Sequence, residues 1–412
     1  MPKWATSWAA SVQGPYPAGN PSAQPDQRFA FPSPMTGARD QTFRLIVRPS
    51  IWGPLARLRF SNVLGARALT LDGLFLGLRR MGSVLVPGTN RQVAFNGMSV
   101  VTIPPGQTVW SDPVTLPDAD TSLLGRSLAV SFHVVDESGP MTWHAKALTT
   151  SYVTAPGAGS KGETDGVLEF PFTTASWFFL DAIDMMVPDD TRVIVGFGDS
   201  ITDGTFATMN GHDRWIDVLS QRLHAAGALN VSVVNAGIGG NQVVGPAEYS
   251  VAAPVPGGPR ALDRLDRDVL SLASVSAVIW LEGINDLGKS GNALPEAVFE
   301  GMKEGAARIR ARFPDVRIIG GTVTPALGSS SPAHGDTVQD TARRQLNEMI
   351  LGRGLFDAVA DFDRAVTDPA TGAMRAEFVP DSTTGGPGDR LHPNRAGYAA
   401  MAASIDLTTL LA

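Results

Sequence analysis

The spacing of hydrophobic and polar residues changes part-way along the chain. From Phe43 to Asp136, short apolar stretches alternate with polar positions and are separated by Gly, Pro, Asn and Asp. This pattern is typical of strands with one buried face and predicts an all-β domain, sandwich-like or jelly-roll-like. Residues 1 to about 40 are rich in Pro and Gly, and we expect them to be irregular. The strand-like stretches are FRLIVRP, LARLRFSN, ALTLDGLFLGLR, SVVTIP, QTVWSDPV and LAVSFHVVD.

After Asp189, near-continuous apolar runs alternate with segments of helical periodicity. Alternating strands and helices predict a parallel sheet covered by helices on both faces. We therefore expect two domains, a β-rich accessory domain over residues 1–188 and an α/β domain over residues 189–412. The predicted strands are TRVIVGFG, NVSVVNAG, VSAVIWLEG, VRIIGGTVTP and LFDAVADF, and the predicted helices include DRWIDVLSQRLHAAG, ALDRLDRDVLSLAS, ALPEAVFEGMKEGAARIRARFP, TARRQLNEMILGRG and NRAGYAAMAASIDLTTLLA.

Composition removes several classes of function. The chain has no cysteine, which excludes disulfides, thiolate nucleophiles and cysteine-based metal sites. The formal net charge is −7 and no basic run stands out, which argues against a nucleic-acid partner. No apolar stretch approaches the length of a membrane span. The start, MPKWATSWAASVQGPYP, lacks the apolar segment of a signal peptide, so we expect a cytoplasmic protein unless a leader has been removed.

Polar, glycine-rich clusters follow three of the strands predicted in the second half. Carboxyl ends of parallel strands meet at one edge of a sheet, where ligands bind. Taken singly, such residues are common in turns. Taken together, they supply a hydroxyl, an imidazole, carboxylates and amide donors at one edge. The clusters are GDSITDG (198–204), NAGIGGN (235–241) and EGIND (282–286), and a fourth, DRLHPN (389–394), precedes the last helix.

These clusters resemble the four motif blocks of the SGNH, or GDSL-type, hydrolase superfamily. GDSITDG, GIGGN, GIND and DRLH occur in the order of that family and span roughly residues 190 to 410. The resemblance implies a flavodoxin-like three-layer α/β/α domain, a serine esterase activity and no cofactor or metal. The start WATSWAAS and the β-rich first half resemble a subgroup of two-domain bacterial arylesterases and acylhydrolases. The G-x-S-x-G elbow of α/β-hydrolases is absent around Ser200.

The resemblance also implies a role for each matching residue. Ser200 matches the nucleophile, His392 the general base, and Asp389 the acid that orients the imidazole. The backbone N–H groups of Ser200 and Gly240 and the side-chain amide of Asn285 match the oxyanion donors. Residues expected to support these groups or to line the pocket are Asp199, Asp203, Asn241 and Asp286.

Each of these residues also has an ordinary structural interpretation. Ser200 could cap a helix, and Asn285 could cap a turn. His392 precedes Pro393, so it lies in extended or turn backbone and could be a solvated loop histidine. Only the agreement of four blocks in one order favours the catalytic interpretation.

Two other classes of function are weighed beside the esterase. The first is a metal-dependent phosphoesterase, but such sites use several histidines and bridging carboxylates, and the four blocks contain a single histidine. The second is a glycan-binding module with a non-catalytic hydrolase-like domain. Aromatic rings that could stack on sugars, although a buried position is commoner, are Trp4, Trp8, Trp52, Trp110 and Trp143.

The sequence therefore predicts a serine esterase that works through an acyl-enzyme. The expected acyl group is short, acetyl to butyryl, as the resemblance implies. The expected substrate is a small-molecule or carbohydrate ester, whose alcohol is an acetylated sugar, an aryl alcohol or another small molecule. The natural substrate and the oligomeric state stay open at this point.

Overall fold

The computed structural model describes residues 1–116 and 119–411. Contacts divide the chain into two compact units. The first comprises Met1–Thr191 and Val251–Pro256, and the second comprises Arg192–Ser250 and Gly257–Ala412. None of the helices described is long and apolar enough to cross a membrane.

The first unit is built from short antiparallel strands, as its alternating pattern predicts. They form a five-stranded, an eight-stranded and a three-stranded sheet. The strands are β1 (Lys3–Ala9), β2 (Gly14–Pro15), β3 (Arg39–Val47), β4 (Leu55–Ser61), β5 (Leu69–Met81), β6 (Val84–Leu85), β7 (Arg91–Gln92), β8 (Val101–Ile103), β9 (Thr108–Trp110), β10 (Val114–Thr115), β11 (Leu128–Glu137), β12 (Thr142–His144), β13 (Ser151–Val153), β14 (Phe172–Thr174), β15 (Trp177–Phe178) and β16 (Leu180–Val187), and a short 3₁₀ helix covers Thr121–Leu123.

The strand orders show which elements share a sheet. The five-stranded sheet runs β1-β16-β4-β10, with β9 also paired to β4. The eight-stranded sheet runs β14-β13-β3-β11-β5-β6, with β7 and β8 also paired to β5. The small sheet runs β15-β12-β2. The β-rich fold class predicted for this half is confirmed.

The start of the chain differs from the expectation of an irregular segment. Residues Lys3–Ala9 form β1, which pairs antiparallel with β16 and sets Trp4 opposite Met186. Most of β1 is buried, although it contains Ala, Thr and Ser rather than large β-branched residues. Its two tryptophans are separated by small and polar residues that give no alternating hydrophobic signal, so the pattern does not predict the strand.

Aromatic rings fill the core of the first unit. Phe43 of β3 stacks on Phe132 of β11 with ring centres 5.2 Å apart, and on Phe31 at 5.7 Å. Phe178 of β15 packs against the Phe43 ring with ring centres 5.4 Å apart. Phe43 and Phe132 belong to the eight-stranded sheet and Phe178 belongs to the three-stranded sheet, so the packing of these rings joins the two sheets.

The tryptophans of the first unit are not presented as open stacking platforms. Trp8, Trp52 and Trp143 are buried. The Arg57 guanidinium lies over the ring of Trp4 at 4.7 Å and over that of Trp110 at 4.4 Å. Sugar stacking by these five rings is therefore not favoured by their surroundings.

The second unit is a parallel sheet with helices between its strands, which confirms the α/β class. The strand order is β18-β17-β19-β20-β21, so the direction of progression along the sheet reverses at β17. The elements are β17 (Arg192–Gly198), α1 (Ser200–Asp203), α2 (Trp215–Ala225), β18 (Val231–Gly237), α3 (Ala261–Leu265) with a π-helical continuation over Asp266–Leu270, β19 (Val275–Leu281), α4 (Pro295–Arg312), β20 (Arg317–Gly321), α5 (Thr337–Gly352), β21 (Ala358–Ala360), α6 (Phe362–Val366), a 3₁₀ helix over Ala376–Phe378, α7 (Arg395–Ala403) and α8 (Leu407–Leu411).

Three strands of this sheet end at the same level. Gly198, the last residue of β17, pairs with Gly237 at the end of β18 and with Leu281 at the end of β19. The polar clusters predicted from the sequence follow directly after these residues. They therefore emerge together at the reversal of strand order, where ligands bind in open α/β sheets.

Candidate active site

Ser200 begins α1 immediately after the sheet. Asp199 caps this helix, since its Oδ1 accepts a hydrogen bond from the N–H of Ile201 at 2.9 Å. The preceding Gly198 has no room for a side chain, because a Cβ there would lie 2.0 Å from the Leu281 carbonyl oxygen. Gly204 closes the turn with φ of +98°. The GDSITDG block thus folds into a tight strand-to-helix turn with Ser200 at its apex.

A continuous chain of hydrogen bonds joins Ser200, His392 and Asp389. Ser200 Oγ lies 2.7 Å from His392 Nε2, although the two residues are 192 positions apart. On the other side of the ring, His392 Nδ1 lies 2.6 Å from Asp389 Oδ2. This is the spacing needed to move a proton from the hydroxyl to the imidazole.

The Asp389 carboxylate is ordered by its own turn. Its Oδ1 accepts hydrogen bonds from the N–H groups of Leu391 and His392, both at 2.9 Å. Burial acts to raise the pKa of this carboxyl, but the hydrogen bonds and charge of His392 outweigh it and hold the pKa below its usual range. Asp389 is therefore ionised at neutral pH and accepts from the Nδ1–H of the ring.

The segment between β20 and α5 is hydrogen-bonded to the turn that contains Asp389 and His392. Ser329 Oγ and the N–H of Ser330 both donate to the Asp389 carbonyl oxygen, at 2.8 and 3.0 Å. In the same segment, Ser331 Oγ lies 3.1 Å from His334 Nδ1. Burial and the neighbouring His392 lower the pKa of His334. A neutral second histidine therefore lies near the pair formed by Ser200 and His392.

The two loops that carry Gly240 and Asn285 are tied to each other. Asn285 is buried and its Nδ2 donates to the carbonyl oxygen of Asn241 at 2.9 Å. Gly240 has φ of +85°, a conformation that glycine adopts without strain. The bond from Asn285 fixes the plane of its amide and leaves the second Nδ2 hydrogen for another acceptor.

The four residues expected to support the site hold its loops in place. Asp203 Oδ2 accepts from the N–H of Gly239 at 2.9 Å, which joins α1 to the loop after β18. Asp286 accepts from the N–H groups of Val243 and Val244 through its two oxygens. Asn241 is fully buried and donates to the carbonyls of Gly257 and Pro259, which ties the loop after β18 to the segment before α3. Asp199 caps α1, as described above.

Polar side chains at the strand ends that could bind a metal ion, among them Asn235, Asp199 and Asp286, have backbone partners. Asn235 donates to the carbonyl of Thr202 and accepts from the N–H of Gly237. Asp199 and Asp286 accept from backbone N–H groups. Within residues 1–116 and 119–411, no group of three or more His, Asp or Glu side chains is arranged to hold a metal ion.

Comparison with known families assigns this part of the chain. Residues 197–400 match the model of the GDSL-like lipase/acylhydrolase family. This region is a GDSL-like acylhydrolase domain. The protein is therefore an enzyme, a carboxylic ester hydrolase. No curated protein sequence matches the chain.

Solved structures similar to the acylhydrolase domain come from several bacteria. A lipase/acylhydrolase from Enterococcus faecalis is 24% identical, with a TM-score of 0.39 over 52% of this chain and 93% of that one. Est24, a carbohydrate acetylesterase from Sinorhizobium meliloti, is 15% identical, with a TM-score of 0.39 over 54% of this chain and 100% of that one. An aryl esterase from M. smegmatis is 16% identical, with a TM-score of 0.38 over 52% of this chain and 96% of that one.

Sequence analysis missed a buried arginine that connects the loops of the acylhydrolase domain. Arg264 of α3 is 1% exposed, and its guanidinium lies 4.3 Å from the centre of the Phe197 ring. It donates to Asn241 Oδ1 at 2.7 Å and to two strand-end carbonyls, those of Gly198 and Ala236, at 2.8 Å each. One side chain thus fixes the ends of β17 and β18 and the loop beside Gly240. In the sequence it looks like any polar residue of an amphipathic helix.

A buried carboxyl at the end of β19 is a second residue whose role the sequence did not reveal. Glu282 Oε2 accepts from Trp280 Nε1 at 2.8 Å, whereas Oε1 has no hydrogen-bond partner among the described residues. Burial raises the pKa of Glu282 to about 8, against the opposing effect of Arg264. Burial also raises the pKa of Asp286 to about 6. Two acids beside Asn285 therefore bind protons more tightly in the folded protein than in the unfolded chain.

The raised pKa of Glu282 predicts a pH-dependent loss of stability. A carboxyl whose pKa rises from 4.5 to about 8 on folding stabilises the protein fully below pH 4.5 and loses that contribution as pH rises towards 8. We expect Glu282→Gln to remove this loss. The free energy of unfolding of the variant, relative to wild type, should increase by about 3 kcal/mol between pH 5 and pH 8. Urea denaturation at both pH values measures the difference.

Glu300→Gln is the matched control for this prediction. Glu300 lies on α4 with a side chain that is 62% exposed, so its replacement should leave the difference between pH 5 and pH 8 unchanged. Equal behaviour of the two variants would show that Glu282 does not carry the pH dependence.

Proposed function

We propose that this protein is a serine esterase that cleaves short-chain acyl esters through an acyl-enzyme formed on Ser200. The observation that carries the proposal is the hydrogen-bonded chain from Ser200 Oγ to His392 Nε2 and from His392 Nδ1 to Asp389, at 2.7 and 2.6 Å. It lies inside the acylhydrolase domain, at the carboxyl edge of a parallel sheet.

The first half of the reaction forms the acyl-enzyme. His392 Nε2 takes the hydroxyl proton while Ser200 Oγ attacks the ester carbonyl carbon, and the carbonyl electron pair moves onto its oxygen. Asp389 stabilises the resulting imidazolium through Nδ1–H. When the tetrahedral intermediate collapses, the imidazolium protonates the leaving alcohol oxygen, and the acyl group stays on Ser200.

The second half returns the enzyme to its starting state. His392 Nε2 takes a proton from a water molecule, whose oxygen attacks the acyl carbonyl carbon. Collapse of the second tetrahedral intermediate breaks the bond to Ser200 Oγ, which regains its proton from the imidazolium. The product is a carboxylic acid.

Three donors are assigned to the oxyanion that forms in both halves. They are the backbone N–H groups of Ser200 and Gly240 and the free Nδ2 hydrogen of Asn285. The bond from Asn285 to the Asn241 carbonyl orients this amide before substrate binds. Preorganised donors of this kind contribute about 10²–10³ in kcat each.

We assign acetyl to butyryl esters of carbohydrates or aryl alcohols as the substrate class. The motif blocks support this class through their resemblance to short-chain SGNH esterases. The experiment compares p-nitrophenyl acetate, butyrate and octanoate, each with and without EDTA. We expect the acetate and butyrate to be cleaved at least about tenfold more efficiently than the octanoate, and EDTA to have no effect.

Covalent labelling tests the nucleophile directly. Treatment with paraoxon should abolish ester hydrolysis and add one diethylphosphoryl group to the peptide that contains Ser200, as mass spectrometry would show. Activity that resists paraoxon but is lost in EDTA, together with hydrolysis of p-nitrophenyl phosphate, would replace the proposal by a metal-dependent phosphoesterase. No turnover and no label on Ser200 would indicate a non-catalytic binding role.

A further inference from the structure

The first unit contains a cavity of about 250 Å³. Its apolar lining includes Trp52 and the leucines at 78, 116 and 123, and its polar lining is Gly88, Thr89 and Arg91. The cavity belongs to the β-rich unit, for which the reaction proposed at Ser200 gives no role.

Arg91, which lines this cavity, has an unused hydrogen-bonding edge. The half-buried guanidinium donates from Nη1 to the carbonyls of Gly88 and Asn90, at 2.7 and 3.2 Å. Among the described residues, its Nε and Nη2 have no acceptor, and no carboxylate pairs with it. Nε and Nη2 form the planar edge that matches both oxygens of a carboxylate. The two Nη1 bonds hold that edge in place before a ligand arrives.

The surroundings of Trp52 also bear on which ligand the cavity can hold. Its side chain is buried, with 6% exposure, yet its Nε1–H has no hydrogen-bond acceptor among the described residues. Buried indole N–H groups are normally satisfied. This N–H has almost no accessible surface of its own, so Trp52 contributes apolar surface to the cavity rather than a hydrogen-bond donor.

The remaining lining selects against sugars. The Thr89 hydroxyl already donates to the Val86 carbonyl at 2.7 Å and accepts from the N–H of Leu78 at 3.1 Å. None of the described residues that line the cavity carries a carboxylate or a carboxamide. A sugar would bury several hydroxyl groups without partners. The lining therefore suits a ligand with one anionic group and an apolar body.

We propose that this cavity is a binding site for a small apolar monocarboxylate. The carboxylate pairs with the Nε and Nη2 edge of Arg91, and the apolar body packs against Trp52 and the leucines. The volume has room for a ligand of about ten non-hydrogen atoms, the size of an arylacetate or a medium-chain fatty acid anion. Binding at this site is independent of the chemistry proposed for Ser200.

The test is isothermal titration calorimetry on the full chain with phenylacetate, its neutral counterpart phenylacetamide, and glucose. We expect phenylacetate to bind with a Kd of about 0.1–1 mM, phenylacetamide to bind at least about tenfold more weakly, and glucose not to bind. Arg91→Gln should weaken phenylacetate binding by at least about tenfold and leave phenylacetamide unchanged.

Two further variants make the result specific. Arg80→Gln changes an exposed arginine of β5 that does not line the cavity, and it should bind phenylacetate as wild type does. Leu123→Glu places a negative charge in the cavity wall, which repels the ligand carboxylate, and should abolish phenylacetate binding. Because Arg91 and Leu123 are only half-buried, both variants are expected to fold.

Three results would overturn the proposal. The first is the absence of phenylacetate binding up to 20 mM, and the second is equal binding by wild type and Arg91→Gln. The third is loss of phenylacetate binding when Ser200 carries the paraoxon label, since that result would locate the ligand at the active site.

Discussion

Ser200→Ala is expected to lower kcat/KM for p-nitrophenyl acetate by at least about 10⁴-fold. The variant keeps His392 and Asp389 but has no oxygen to attack the ester. What activity persists would come from general-base attack by water in a site that still holds its oxyanion donors. The steady-state rate of p-nitrophenol release measures this loss of kcat/KM.

Stability separates a chemical effect from a folding defect in this experiment. Ser200 is buried, and among the residues that the structure describes its hydroxyl bonds to His392 alone, so Ser200→Ala should change the free energy of unfolding by less than about 1 kcal/mol. Ser404→Ala, in the exposed turn after α7, is the matched control and should retain full activity. Retention of more than a few per cent of activity by Ser200→Ala would remove Ser200 as the nucleophile.

Arg264→Met should give the second large effect, mainly on stability. Methionine keeps much of the buried volume but leaves the carbonyls of Gly198 and Ala236 and the Asn241 side chain without this donor. We expect the free energy of unfolding to fall by about 3–5 kcal/mol. In the folded fraction, kcat should fall about 10–100-fold with little change in KM, because the donor loop shifts relative to Ser200. Urea denaturation and kinetics at low temperature measure the two effects.

Arg260→Met serves as the control for Arg264→Met. Arg260 lies just before α3, four positions before Arg264. It pairs with Asp263, and both side chains are at least 41% exposed. An exposed ion pair of this kind contributes little, so the variant should lose less than about 0.5 kcal/mol. If Arg264→Met were as stable and as active as Arg260→Met, the connecting role of Arg264 would be wrong.

Much of the second unit could be predicted because its strands are apolar on both faces. A run such as VSAVIWL can only be buried on both sides, and alternation with helices then requires a parallel sheet. The residues at the strand ends follow from that topology. The long-range distance between Ser200 and His392 was predictable only through the order of the motif blocks, since the two residues are 192 positions apart.

The residues that were not predicted are polar groups whose partners lie far away in sequence. Arg264 donates to the carbonyl of Gly198, which lies 66 positions earlier in the sequence. Nothing in the local sequence distinguishes Arg264 from Arg260. Glu282 was seen as part of a cluster, but its raised pKa depends on complete burial that only the packed structure provides. Strand β1 was not predicted for another reason, because the small and polar residues between Trp4 and Trp8 carry no periodic hydrophobic signal.

The turn that contains Asp389 and His392 has an evolutionary consequence. The Asp389 carboxylate is positioned by the N–H groups of its own turn and binds the imidazole three residues later. Asp389 and His392 therefore form one local unit of structure. Only the contact between His392 and Ser200 has to be preserved across the rest of the fold. Connecting loops that touch neither this turn nor the residues around Ser200 are therefore free to lengthen, shorten or diverge as substrates change, without altering the contacts proposed for proton transfer.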